Sequence, residues 1–160
     1  MRNNFEIGLP KTSRKTDFVD LGICASVYLL CNDRQFEYCP SPLEFARFLN
    51  IEPDCSPLRY KEREKQRVCH VIYTISETIQ PMSVRARWLS EFVELCGVGM
   101  EYYKRHCKDI ESIHIAEGVY TDMIPKAKLA NYEFKKKLDE ALGNWYNLAN
   151  SLRSYPQAHT

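Results

Sequence analysis

Two serine–proline pairs, Ser41-Pro42 and Ser56-Pro57, each stand at the head of a stretch with helical character, and they constrain the fold more than any other feature. A serine hydroxyl can accept from the free N–H groups of a first helical turn. Proline suits the first helical position because an N–H there would have no partner. The first pair is followed by Glu44, which completes a Ser-x-x-Glu capping box. Leu43, Phe45, Ala46, Phe48 and Leu49 then predict a short amphipathic helix over 42–50. The second pair predicts a long helix over 57–79, charged from Arg59 to Arg67 and apolar from Val68 to Ile75.

The remaining periodicity is also helical. Val19, Ile23, Val27 and Leu30 form a stripe at three- and four-residue spacing. Leu21, Cys24, Ala25, Tyr28, Leu29 and Cys31 widen it almost all round, as in a helix from the middle of a bundle. Thr16 or Asp17 can cap it. Ser83 can cap a helix over 84–96 whose apolar face is Val84, Trp88, Leu89, Phe92, Val93 and Cys96. Gly97-Val98-Gly99 ends that helix. A further helix is expected over 100–117, with Tyr103, Cys107, Ile110, Ile113 and His114 inward. The last is expected over 126–152, carrying Leu129, Tyr132, Phe134, Leu138, Leu142, Trp145, Leu148 and Leu152, with Pro156 past its end. Helices with one apolar face bury it on each other, so the expected fold is an all-α, single-domain bundle of about six helices over residues 17–155. A flexible basic arm, residues 1–16 with Lys11, Arg14 and Lys15, precedes it. The 160 residues, 44% of them hydrophobic, are enough for one core.

Composition narrows the function classes. The seven cysteines are odd in number and include no C-x-x-C pair, which fits a reduced, cytoplasmic protein rather than a disulfide scaffold. The most apolar run, Leu21 to Cys31, is about half the ~20 residues that span a bilayer, so no membrane partner is expected. No phosphate-binding glycine loop, nucleophile elbow or H-E-x-x-H motif occurs, so no catalytic residue, no enzyme activity and no cofactor are expected. Cys69-His70, His106-Cys107 and His114 lack the close paired spacing of structural zinc ligands, and no metal is expected.

The formal net charge of +1 does not announce a nucleic-acid binder, but local clusters do suggest one. The short capped helix 42–50, its turn, and a helix opening with Arg59, Tyr60, Lys61 and Arg63 together resemble a helix-turn-helix pair. That resemblance implies that the second helix meets DNA or RNA with its first turns. Arg59, Lys61, Arg63 and Arg67 would then contact phosphates, and Tyr60 would stack or touch a base. Arg85 and Arg87, beside Trp88, form a second basic set. Lys126, Lys128 and Lys135 to Lys137 form a third, which reads more simply as a solvated helix face. The leading expectation is a non-enzymatic helical binding protein in a nucleic-acid context, a transcription regulator or nucleoprotein accessory subunit. The rival is a protein–protein module (an adaptor, an inhibitor or a small subunit of a larger assembly) using Tyr102 and Tyr103 for its partner.

Overall fold

The computed structural model describes the backbone of residues 17–159 and the side chains of residues 17–143. The expected arm, Thr16, and the side chains of Trp145, Leu148 and Leu152 lie outside the described residues. The fold is an all-helical bundle: α1 (Leu21–Cys31), α2 (Pro42–Leu49), α3 (Lys65–Ser76), α4 (Met82–Leu95), α5 (Met100–His106) and α6 (Lys126–His159), with a 3-10 turn at Thr121–Met123 before α6. Among the described residues the only extended pairing is a pair of isolated bridges, Asn32 with Phe36 and Phe36 with Tyr60.

Aromatic side chains run through the core as a connected column. Trp88 and Phe92 of α4 stack at 4.9 Å, Phe92 meets Phe48 of α2 at 5.0 Å, and Phe48 meets Phe36 at 5.7 Å. Phe36 and Tyr28 both pack edge-on against Phe45, which brings in α1. Such pairs add roughly 0.5–1.5 kcal/mol each beyond area burial. The indole N–H of Trp88 donates to the Leu49 carbonyl at 2.8 Å, so this buried polar group is satisfied at the end of α2.

α2 forms as its sequence requires. The Ser41 hydroxyl accepts from the Glu44 N–H at 3.1 Å and Pro42 takes the first helical position. Its C-terminus closes as a Schellman motif, with the Glu52 N–H donating to the Arg47 carbonyl and the Ile51 N–H to that of Phe48. The left-handed residue is Ile51, at φ 57°, where glycine is usual. A β-branched side chain there is strained by about 1–2 kcal/mol. Packing of Ile51 against the core offsets this, as do the Arg47 ion pairs to Glu52 and, at 2.7 Å, to Asp54.

Several helix starts and ends differ from the sequence expectation, three of them for a tertiary reason. α1 begins at Leu21, capped by Asp20, because the N–H groups of Phe18 and Val19 are held by the Asn50 side-chain oxygen at 2.6 and 2.7 Å. α3 begins at Lys65 rather than Pro57, because the preceding segment pairs with residues 35–37. The Glu37 N–H donates to the Arg59 carbonyl, and the Lys61 N–H to that of Gln35. α5 stops at His106, and the chain turns through Asp109, whose carboxylate binds both His106 Nδ1 at 2.7 Å and the Gln66 amide at 3.1 Å. α6 runs past the expected end, through Pro156 to His159.

His70 lies on α3 inside the core, 1% exposed, with neither ring nitrogen hydrogen-bonded among the described residues, edge-on to Phe134 of α6. Burial, with Lys135 adding repulsion, pushes its pKa down from 6.5 to about 4. The unfolded chain therefore binds a proton between these values and the folded chain does not, so stability falls as pH drops from 6.5 towards 4, by on the order of 3 kcal/mol in total. Thermal unfolding followed from pH 7.5 to 4.5 should show this decline in the wild type and a flatter profile in His70→Phe. Parallel profiles would remove His70 as its source.

Candidate interaction surfaces

The residues expected to meet nucleic acid divide according to what they already bind. Arg59, Tyr60, Lys61 and Arg63 do not form a helical first turn but an irregular segment leading into α3. The helix-turn-helix crossing is therefore absent, because residues 50–64 separate α2 from α3. Lys61 is tied to Asp33, by its ammonium to the carboxylate at 2.9 Å and to the carbonyl at 3.1 Å. Arg67 is half-buried, paired with Glu64 at 3.1 Å and donating to the Asn131 side chain of α6 at 2.8 Å. Arg85 binds the Ile79 carbonyl at 3.1 Å and Glu77 at 3.5 Å, closing the α3–α4 turn. Arg87 pairs with Glu91 and covers the ring of Phe18 at 5.0 Å, at the entrance to α1. Among the described side chains, Arg59 and Arg63 have no carboxylate partner, and both are exposed. Arg63 stands at φ 71° on the outward bend before α3.

Two expected sets do come together. Tyr60 and Tyr102 are bridged by Lys65, whose ammonium lies 5.5 Å from the first ring and 4.1 Å from the second. Arg59 covers Tyr60 at 5.1 Å, and His106 lies against Tyr102 at 4.3 Å. Arg59 also crosses Gly97, where a Cβ would sit 2.8 Å from its guanidinium and where φ is 88°. The contacts Arg59–Tyr60, Lys65–Tyr60 and Lys65–Tyr102 join the irregular segment to α3 and α5 by cation–π contacts of about 0.5–1 kcal/mol each, and His106 packs on Tyr102 within α5. Tyr103 is buried and cannot present its ring to a partner; burial also pushes its hydroxyl pKa up.

The thiols are similarly committed to packing. Burial pushes Cys24, Cys31 and Cys69 up to about 12 and Cys96 up to about 11, which suppresses the thiolate that nucleophilic chemistry needs. Among the described residues no group of three or more His, Cys, Asp or Glu side chains converges as metal ligands, and no helix is long and apolar enough to cross a membrane.

A surface that sequence reasoning assigned to the interior lies on α1. Ile23, Cys24, Val27 and Cys31 face the core, as expected. Leu21, Ala25 and Leu29, at i, i+4 and i+8, face out; Leu21 is 52% exposed and Leu29 79%. No charged residue occurs between Leu21 and Cys31. The C-terminal end of α1 is flanked by the 38–43 segment, because the Tyr28 hydroxyl donates to the Cys39 carbonyl at 3.1 Å and the Asn32 side chain both donates to that carbonyl and accepts from the Cys39 N–H. Tyr38 and Leu43 on that segment are exposed too. The signal in the sequence was the width of the apolar stripe: a helix apolar on every side has more such surface than one core can take.

Comparison with protein-family models, curated proteins and solved structures finds no match to this chain.

The contrast between committed and free arginines is measurable. Arg67→Ala should cost about 1–2 kcal/mol in chemical denaturation, from the loss of a half-buried ion pair and a hydrogen bond. Arg63→Ala should stay within about 0.5 kcal/mol of wild type. Equal effects would contradict this difference between the two arginines.

Proposed function

We propose that this chain is a non-enzymatic protein–protein interaction module that docks through the outer face of α1. The observation carrying this reading is the row Leu21, Ala25 and Leu29 turned to solvent on a helix without a charge. Contiguous apolar surface on a folded domain marks a site where another surface is covered, and full burial of each leucine is worth roughly 1.5–3 kcal/mol. Tyr38 and Leu43 broaden the patch at one end, where an amphipathic aromatic ring suits an interface.

The test uses a photocrosslinking benzophenone side chain at position 29 of the full chain, expressed in its own cells, with the same group at the exposed Glu133 as control. Position 29 should give a discrete protein adduct that Leu21→Glu reduces at least tenfold. No adduct beyond the Glu133 control would remove the proposal.

A second reading, in which the chain touches a nucleic-acid backbone, is favoured by Arg59 and Arg63 alone, the two arginines of the segment that carry no carboxylate partner among the described side chains. Two phosphate contacts give weak binding with a shallow salt dependence, a slope of roughly −1.4 to −1.8 in log K against log salt. Fluorescence anisotropy with labelled duplex and single strands at low salt should show binding that Arg59→Glu with Arg63→Glu abolishes. Binding unchanged by that double substitution, or no binding, would dismiss this reading.

A further inference from the structure

We propose that the outer face of α1 pairs with the same face of a second copy of this chain, antiparallel, about a two-fold axis through Ala25. This rests on the reading of α1 as a docking surface and adds the identity of what covers it.

The face is symmetric about its centre. Leu21 and Leu29 stand four positions either side of Ala25, each about 6 Å away along the helix. When two such helices run antiparallel with Ala25 opposite Ala25, Leu21 of each copy meets Leu29 of the other. A two-fold interface requires this self-complementarity, in which residue i meets j and j meets i. The central side chain is a single methyl, and Gly22 beside it has none. Two helix backbones can therefore approach to about 8 Å, the close end of ordinary helix packing.

The charges favour the antiparallel arrangement. Asp17 and Asp20, both exposed, flank the N-terminal end of α1. At the other end Lys61 holds Asp33, and Arg34 and Glu37, both exposed and without an ion pair among the described side chains, balance each other. An antiparallel pair brings the acidic entrance of one copy to this charge-balanced end of the other and opposes the two helix dipoles. A parallel pair would set Asp17 and Asp20 against their own equivalents. Tyr38 and Leu43, beside the C-terminal end of α1, extend the contact beyond a single helix, as a stable interface needs.

Sedimentation of the full chain over a concentration series, with Leu21→Glu, Leu29→Lys and the double variant, tests the proposal. Both substitutions suit the helix dipole at their own end, so the fold is retained, and circular dichroism checks this. The wild type should dimerise. Each single substitution, acting twice across the axis, should weaken the dimer at least about tenfold. The double variant should recover it, because Glu at position 21 then faces Lys at position 29 of the second copy. A monomeric wild type overturns the second copy. So does a dimer indifferent to the single substitutions, or a double variant no better than either single. If the wild type is monomeric while position 29 still crosslinks to a different protein, the docking reading survives without the second copy. An adduct joining two copies of this chain supports both.

Discussion

The C-terminal turn of α2 is the joint on which the arrangement of α1, α2 and α4 depends. Two neighbouring residues there satisfy buried polar groups from distant parts of the chain. The Leu49 carbonyl takes the Trp88 indole N–H. The Asn50 side chain accepts from the N–H groups of Phe18 and Val19 and donates to the carbonyls of Val19 and Ala46. Asn50 is 4% exposed. Without it, backbone donors at the entrance to α1 would be buried and unpaired, at about 1–3 kcal/mol each. The bonds to Phe18 and Val19 also set where α1 begins. A helix begun one residue earlier or later turns by about 100°, so this joint sets which side chains of α1 face the core and which face water.

Local chemistry was legible in the sequence where it acts alone. Ser41, Pro42 and Glu44 place the start of α2 correctly because an N-cap is a contact between near neighbours. The apolar spacing in α4 picks out Trp88, Phe92 and Val93 because one helix face packs on one core. Ser56-Pro57 carries a similar local signal and fails. Its continuation is drawn into pairing with residues 35–37, and a hydrogen bond to a partner some twenty residues away leaves no trace in cap chemistry. A weaker sign was present: Leu58 and Tyr60 alternate with Arg59 and Lys61, a two-residue period that suits an extended segment with Leu58 turned in.

The candidate site was less legible than the fold, because charge and hydrophobicity do not say what they are paired with. Arg67 and Arg85 look like free cations in the sequence, yet Arg67 bridges α3 to α6 and Arg85 closes the α3–α4 turn. Nothing in the sequence marks Lys65 out from its charged neighbours, yet it links Tyr60 to Tyr102. His70, adjacent to a cysteine, suggests a ligand by residue type; its place beside Phe134 makes it a core side chain. For α1 the ambiguity is of another kind. An all-round apolar pattern is the same whether the second face is covered by the chain itself or by something else.

The fold makes little use of leucine at positions 21 and 29, which are 52% and 79% exposed. Neither side chain is buried, and glutamate or lysine would hold the helix about as well, since straight-chain polar residues match leucine in helix propensity within a few tenths of a kcal/mol. A leucine in water adds little to the stability of the monomer, because it is also exposed in the unfolded chain. It does lower the free energy of any state in which it is covered. The same holds for Leu43 and Tyr38. Several apolar side chains that contribute little to the isolated fold, on one helix and the segment bonded to its end, are what the proposed docking surface requires.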